Sequence, residues 1–579
     1  MKTLPVKINE RMTNKKKLFT RIFIPLCILA IYCFSFSSLS SIFLTLGVNY
    51  AFTHMLWMYL LLVIIVLAIP ICVTAFKNRA FFSPDDLGEK LPFTDILLLL
   101  LPLTPIVQYI INNSDILSSA DIFYIISFFL LFSGLLILVI PIILRRIVSI
   151  KILEIIGVAF TFTITSMALL SKQFSWLESG NFLIQLVFFC SVFVCLWLLI
   201  NQKSRIYIYT MIMVLFFVNG LNELRLMVAN SSVSSSENDF LSLLEGKTPV
   251  YEPSIYLFVY DSYVTNETLS GYGIDNYDQE SWLLDKGFSL YPKTYSIADG
   301  TIGSMSRVLN VSDFFYGPKR QAVSGRGVVQ QIYKELGYET YGVFSSDFMF
   351  RGIGSGYDHS IPKVTTLQSS LLISAILIGE FRFDISFDKQ NYEEFISSKR
   401  AMIEQIDNQK VFVYSHTNLP GHSQNSGKCR EDEIKIYHEK LIRANTEMKQ
   451  DVELILSTDP NALIVIAGDH GPYLTKNCYA TGDEYDISEI TRLDIQDRFG
   501  TFLAIKFPTV DYEEYDEITI LQDIFPVILA YMYQDSSILD SKLRPVISAQ
   551  PAISGVSVNN GKIKGGSDDG EELFLGSEK

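Results

Sequence analysis

The sequence predicts a multi-span α-helical membrane domain followed by an α/β/α sandwich domain with a largely parallel central sheet. Three observations carry this. The first is composition: 49% of the 579 residues are hydrophobic and only 19% are charged, where soluble domains carry about a quarter charged residues. The second is the charge split. Through Glu223 there are 16 Lys+Arg and 10 Asp+Glu, a net +6; the whole chain is −14, so the remainder carries −20. A basic apolar front and an acidic rear exclude a single soluble domain. The acidic rear also excludes a nucleic-acid binder, which needs surplus Lys and Arg. The third is a rear half of short apolar runs alternating with amphipathic stretches, the pattern of buried strands between helices.

In the front half, apolar stretches of the length that crosses a bilayer, about 20 residues, fall at 18–36, 52–76, 93–111, 122–144, 152–170, 182–200 and 206–221. The first is too long and too basic-flanked for a simple cleaved signal. Bases gather in alternate connections: Lys15, Lys16, Lys17 and Arg21 before the first span, Lys77, Arg79 and Lys90 after the second, Arg145, Arg146 and Lys151 after the fourth, Lys203 and Arg205 after the sixth. The other loops carry only Lys172. This positive-inside pattern predicts seven spans, a cytoplasmic N-terminus and an extracytoplasmic rear half. His54, Asp95 and Glu154 lie close to span ends, so the ionisable groups that an ion or proton pathway needs at depth are missing. An anchor that gates a lipid substrate is the expected role. The predicted boundaries are 1–228 for the membrane domain, 229–252 for a Ser-rich linker, 253–550 for the catalytic domain and 551–579 for a flexible Gly-, Asp- and Glu-rich tail.

Of seven cysteines, only Cys429 and Cys478 lie in the rear half. An extracytoplasmic compartment favours a disulfide between them, the alternative being two separate thiols. Strands are predicted at 255–260, 340–344, 411–415, 463–467 and 502–505, and helices at 328–336, 393–407 and 432–456. In parallel sheets ligands bind beyond the carboxyl ends of the strands, and three of these ends carry metal-ligand chemistry. The first runs into Asp261, another into Gly468-Asp469-His470-Gly471, and a third into Ser415-His416, with His422 six residues on. Carboxylates with imidazole suit Zn or Mn, though an Asp at a strand end also serves as a helix N-cap. Between the first two strands, Asp299-Gly300-Thr301-Ile302-Gly303-Ser304 reads as a tight turn opening a helix. Thr301 there is an N-cap or a nucleophile whose alkoxide the helix N-terminus and a metal favour.

Four pieces together resemble the alkaline phosphatase/sulfatase superfamily: Pro253 through Asp261, the turn with Thr301, Ser304 and Leu309, the Leu336-Gly337-Tyr338-x-Thr340 stretch, and Gly468-Asp469-His470-Gly471. The whole layout is similar to its membrane-anchored branch, which includes lipoteichoic acid synthases and phosphoethanolamine transferases. The resemblance covers roughly residues 250–535. It implies one divalent metal, Zn or Mn, on Asp261, Thr301, Asp469 and His470, with Thr301 as the transiently phosphorylated nucleophile. It implies that His416 holds the substrate phosphate or moves a proton, and that Phe348 and Arg351 form a phosphate clamp in which a guanidinium fits the anion. His422 is expected to line the substrate site, hydrogen-bonding its loop or supporting a second metal.

The departures from that family narrow the reading. Sulfatases need a Cys or Ser followed by Pro and Arg, where this chain has Thr301, Gly303 and Met305, and no His follows His470. Sulfate hydrolysis is thereby disfavoured and a single metal favoured. Asp261 stands where lipoteichoic acid synthases have Glu. The expected function is a transferase that moves a phospho-alcohol group, phosphoglycerol or phosphoethanolamine, from a phospholipid donor to a cell-surface glycan. The expected location is the bacterial inner (plasma) membrane, multi-pass, with the catalytic domain periplasmic. The alternatives are a sulfatase-like phosphodiesterase or phosphatase and a non-catalytic envelope scaffold.

Overall fold

The computed structural model describes residues 98–112, 117, 119–144, 150–173, 187, 189–194, 237–313, 320–350, 354–363, 373, 376, 391–406, 410–423, 432–476, 485–549 and 553–576. Packing divides the chain into two units: Met1–Leu226 with Leu367–Phe387, and Met227–Thr366 with Asp388–Lys579. The second unit is therefore discontinuous in sequence, interrupted inside the range expected as one catalytic domain.

In the first unit, α1 (Leu100–Asn112), α2 (Ser119–Gly134) and α3 (Ile150–Gln173) coincide with the third, fourth and fifth expected spans. The first, second and seventh lie outside the described residues, and of the sixth only Val187 and residues 189–194 are described, as helix. Helix α2 continues through a π turn, Leu135–Val139, into Ile140–Leu144. Among the described residues, Ala120–Ile143 is the one helix long and apolar enough to cross a membrane, with a mean hydropathy of 2.8. The hydroxyls of Thr161, Thr163 and Thr165 donate back to Gly157, Ala159 and Thr161 carbonyls at 2.8, 2.7 and 3.0 Å. These three threonine hydroxyls are thus satisfied by the helix's own backbone.

The second unit opens with α4 (Glu237–Leu244). This corrects the expected linker: Phe240 and Leu244, one helical turn apart, are buried in the core, an i, i+4 pair that the Ser-rich flanks concealed. The central sheet comprises β1 (Ile255–Tyr260), β2 (Ser289–Leu290), β3 (Glu339–Phe344), β4 (His359–Ile361), β5 (Val411–Thr417), β6 (Leu463–Gly468) and β7 (Leu503–Lys506), in the order β2-β7-β6-β1-β5-β3-β4. Strands β6, β1, β5, β3 and β4 run parallel; β7 is antiparallel to β6, and β2 to β7.

Helices cover both faces. They are α5 (Asn266–Gly271), α6 (Tyr277–Asp285), α7 (Thr301–Asn310), α8 (Val328–Glu335), α9 (Tyr392–Gln405), α10 (Glu433–Thr458), α11 (Arg492–Phe499) and α12 (Ile524–Tyr533). Alternation along β1 shows the layering. Ile255, Leu257 and Val259 enter the core built with α7, α8 and α12. Tyr256, Phe258 and Tyr260 enter the opposite core, built with α9 and α10. Strands buried on both faces read as continuous apolar runs, which is why β1, β5 and β6 are legible in the sequence. The observed architecture is an α/β sandwich with a mostly parallel central sheet.

The expected flexible tail is a second correction. Strands β8 (Val546–Ile547), β9 (Ser557–Asn559) and β10 (Lys562–Lys564) form an antiparallel sheet. Its hairpin turns on Asn560 and Gly561, both at positive φ, the Asn-Gly pairing that primed turns demand. Val556, Val558, Ile563, Leu573 and Phe574 are buried against Ile490, Ile495 and Phe499. Composition alone pointed to mobility; the alternating apolar residues around the turn determine the outcome.

Candidate metal centre

Strand β1 lies between β5 and β6, and Tyr260 is in register with both Thr417 and Gly468. Asp261 and Asp469 therefore leave the sheet side by side. Asp261, Asp469 and His470 each present a ligand atom, and these atoms all lie within 4.8 Å of one another. His470 Nε2 is 3.5 Å from an Asp261 oxygen and 3.4 Å from Asp469 Oδ2. Asp469 and His470 are buried, while Asp261 keeps 15% side-chain exposure.

The local backbone aims these groups. Asp469 Oδ1 accepts the N–H groups of Ser262 and His470, each at 3.0 Å, which leaves Oδ2 buried and without a hydrogen-bond partner. His470 Nδ1 donates to the Gly471 carbonyl at 2.8 Å, so in the neutral ring Nε2 carries the lone pair. Gly468 and Gly471 are required by close approach: a Cβ would meet the Tyr263 carbonyl oxygen at 1.9 Å and the Asp497 carbonyl oxygen at 2.0 Å, respectively. Ser262 joins the group in a way that sequence reading missed. It sits at φ 60, a left-handed conformation that costs a non-glycine residue on the order of 1 kcal/mol or more. Its hydroxyl donates to Asp261 Oδ1 at 3.0 Å, and its carbonyl accepts from Tyr437 at 2.8 Å.

Thr301 is the first residue of α7, after Gly300 in extended conformation. Its hydroxyl oxygen lies 3.4 Å from His470 Nε2. One turn on, the Ser304 hydroxyl donates to the Asp469 carbonyl at 2.7 Å and meets Ser296 Oγ at 2.6 Å. Gln522 Nε2 donates to that same Ser296 oxygen at 3.2 Å. This buried chain ties the start of α7 to the end of β6. Its members are ordinary polar residues far apart in sequence, so no local signal marks them.

His416 stands inside β5 rather than beyond it, since that strand continues to Thr417. It is buried, with Nδ1 paired to the Tyr414 hydroxyl at 3.0 Å and Nε2 3.7 Å from Asp469 Oδ2. His422 donates from Nδ1 to the Ser423 carbonyl at 2.8 Å, and its ring centre is 5.7 Å from that of His470. Phe348 lies in the short turn Asp347–Phe350 after β3, with the Arg320 guanidinium 4.1 Å from its ring centre. Arg351, Cys429 and Cys478 lie outside the described residues.

Burial pushes the His416 imidazole below its ordinary pKa, against the pull of Asp469 and Asp261. Burial alone would raise the Asp469 carboxyl, but chiefly the His470 and His416 rings and the Ser262 N–H outweigh it and hold it below its ordinary value. The donor set fits a divalent cation. A buried carboxylate oxygen without a hydrogen bond, an imidazole lone pair, a second carboxylate and a hydroxyl converge, and oxygen with nitrogen suits Zn or Mn.

No family model and no curated protein matches the sequence. Among solved structures, the chain is similar to the C-terminal periplasmic domain of EcEptC from Escherichia coli in complex with Zn, at 11% identity over 50% of this chain and 85% of that one, with a TM-score of 0.34. It is similar to the integral membrane lipooligosaccharide phosphoethanolamine transferase A from Neisseria meningitidis, at 10% identity over 75% of this chain and 95% of that one, with a TM-score of 0.35. A Bacteroides thetaiotaomicron protein of glycosaminoglycan metabolism is also similar, at 12% identity over 50% and 74% of the two chains, with a TM-score of 0.31.

Proposed function

We propose that this chain is a membrane-anchored, metal-dependent phosphotransferase of the alkaline phosphatase/sulfatase type. It moves a phospho-alcohol group from a phospholipid to a cell-surface glycan on the extracytoplasmic side of a bacterial plasma membrane. The observation that carries the reading is the placement of the Thr301 hydroxyl at the first turn of α7, 3.4 Å from the imidazole nitrogen that Asp261 and Asp469 surround. The motif order in the sequence supports the same class, and the apolar helix Ala120–Ile143 supports the anchor.

Asp261, Thr301, Asp469 and His470 would hold one Zn or Mn, which when bound supplies Lewis-acid stabilisation of negative charge. Thr301 Oγ attacks the lipid phosphorus, its proton passing to a nearby base. The P–O bond to diacylglycerol breaks, and the leaving oxygen takes up a proton. Phospho-Thr301 is then attacked by a glycan hydroxyl, which loses its proton while Thr301 Oγ regains one. Free N–H groups of the first turn of α7 face the transferring phosphoryl group. His416, whose pKa burial lowers, hydrogen-bonds the phosphate through Nε2, which carries the hydrogen in the tautomer where the Tyr414 hydroxyl donates to Nδ1. Phe348, Arg351 and His422 are assigned to the substrate side, and Cys429 with Cys478 to a disulfide.

The test uses the full chain in detergent with mixed vesicles of phosphatidylglycerol and phosphatidylethanolamine, reading diacylglycerol release and the mass of Thr301. Release that vanishes in Thr301→Ala, with a phospho-alcohol adduct on Thr301 in the parent, is expected. Release unchanged in Thr301→Ala refutes the assignment. Glycan mass spectrometry of cells with and without the gene separates transfer from hydrolysis, because an unmodified glycan in both means water is the acceptor.

A further inference from the structure

The geometry points to Arg498, Asp299 and Tyr473 as a positioning device that sets Thr301 against His470. Asp299 lies two residues before Thr301. Arg498, on α11, donates to Asp299 Oδ2 from Nε at 3.1 Å and from Nη2 at 2.9 Å. The same guanidinium lies 3.9 Å from the centre of the Tyr473 ring. That ring stacks on His470 at 5.1 Å with an interplanar angle of 11°, and its hydroxyl donates to the Asp299 carbonyl. A closed path therefore runs from the metal-facing imidazole through Tyr473 and Arg498 to the residue that leads into Thr301.

Two features mark this path as more than surface pairing. Tyr473 is buried and sits at φ 58, a conformation rarely kept unless its surroundings impose it. Helix α11 imposes it: the Asp497 carbonyl accepts the Tyr473 N–H at 3.2 Å, and the Asp497 carboxylate accepts the N–H groups of Leu474 and Thr475 at 2.8 and 3.2 Å. Asp299 and Arg498 keep only 33% and 13% side-chain exposure. At Gly300 itself a Cβ would meet nothing within 4 Å, so no packing against that residue fixes it. Ile297 and Ala298 tie the start of this turn to Gln522 and Ser296, and the Asp299 contacts hold its last residues before Thr301, so Arg498 and Tyr473 act on the chemistry through Thr301. Neither touches the reacting atoms.

The inference rests on the metal reading above, so its test is metal affinity rather than turnover. Zn affinity of the full chain is measured by chelator competition for the parent, Arg498→Met, Arg498→Lys and Asp299→Asn, each with and without Thr301→Ala, beside the urea unfolding midpoint. Partners that orient a ligand typically change metal affinity by about 10- to 100-fold. Arg498→Met and Asp299→Asn are expected to weaken Zn about 10-fold at an unchanged midpoint. Arg498→Lys, retaining charge without the fork, recovers part of the loss. In the Thr301→Ala background the same changes are expected to cost nothing further. Parent-like affinity in the single variants, or an equal loss without Thr301, overturns the positioning role. Should Arg498→Met fail to fold, the isosteric Asp299→Asn decides alone. A parent that binds neither Zn nor Mn overturns the functional reading itself, a result distinct from a metal-binding parent with indifferent variants.

Discussion

Gly468→Ala isolates the role of close packing behind the candidate centre. The added Cβ would lie 1.9 Å from the Tyr263 carbonyl oxygen, whereas carbon–oxygen contacts settle at about 3.3 Å or more. The backbone must open by about 1.4 Å, the difference between these two distances. The Tyr263 carbonyl cannot simply yield, because it also accepts the Phe502 N–H at 2.9 Å. The Gly468 N–H likewise donates to the Phe502 carbonyl at 2.8 Å. The displacement therefore falls on the next residue, Asp469, whose Oδ1 is pinned by two N–H groups and whose Oδ2 faces His470. Overpacking of this kind costs about 1–3 kcal/mol, and a misplacement of about 1 Å at a reacting centre can cost 100-fold in rate. Expected for the purified full chain are a lower urea midpoint with one cooperative transition and Zn or Mn affinity reduced at least 10-fold. A variant that unfolds like the parent and binds metal equally well would refute the claim that this contact locates Asp469.

Three further outcomes follow from other parts of the second unit. The Lys399 ammonium is buried between Glu447 and Asp451, with Arg400 on Asp451 at 2.8 Å and Tyr392 on Glu447 at 2.7 Å. Lys399→Met removes the ammonium the two buried carboxylates share, leaving only Arg400 on Asp451 and Tyr392 on Glu447, and should cost about 3–5 kcal/mol in equilibrium unfolding. Burial lowers the Lys399 pKa, but Asp451 and Glu447 more than offset it, so the folded value is raised. Its stabilisation is then full below the unfolded lysine value, about 10.4, and lost as pH rises through the folded one. A parent midpoint no more alkali-sensitive than that of Lys399→Met contradicts this. Truncation after Ala549 removes Val556, Val558, Ile563, Leu573 and Phe574 from the core they share with Ile495 and Phe499. Each such side chain is worth about 1.5–3 kcal/mol, so a lower melting midpoint is expected, and an unchanged one restores the flexible tail. Ser304→Ala deprives the Asp469 carbonyl of its 2.7 Å donor and leaves Ser296 short of a partner. A loss of about 1–3 kcal/mol should appear in unfolding, together with weaker metal binding.

What could be read from the sequence was what repeats locally. Strands β1, β5 and β6 are apolar on both faces, and their bounds were met within two residues. The aspartates and histidines at their ends were legible because a strand end is a fixed place in a parallel sheet. The rest depends on partners distant in the chain. Strands β2 and β4 have two and three residues and take their state from β7 and β3, which no window around them contains. Helix α4 was hidden by composition, although its Phe240 and Leu244 spacing was present. Arg498 lies 199 residues from Asp299, and Tyr473 gives no sign in sequence of its positive φ.

The same contrast shows how the centre is divided between rigid and adjustable parts. Asp261, His416 and Asp469 come from three adjacent strands whose register is locked by backbone bonding, with Val259 opposite both His416 and Ala467. A slip by one residue would reverse every side chain between two buried faces, so these groups cannot drift independently. Thr301 comes from outside the sheet, at the head of a helix whose Met305, Val308 and Leu309 enter the core, while a Cβ on Gly300 before it would meet nothing within 4 Å. Two sets of bonds add to that packing in locating Thr301: Ser304 to the end of β6 from within the helix, and Asp299 to Arg498 and Tyr473 from before it. On the proposed function, in which Thr301 receives and surrenders a phosphoryl group, this division is an advantage. The sheet holds Asp261, His416 and Asp469 still, while the turn before Thr301 is tied by a few bonds that substitution can tune.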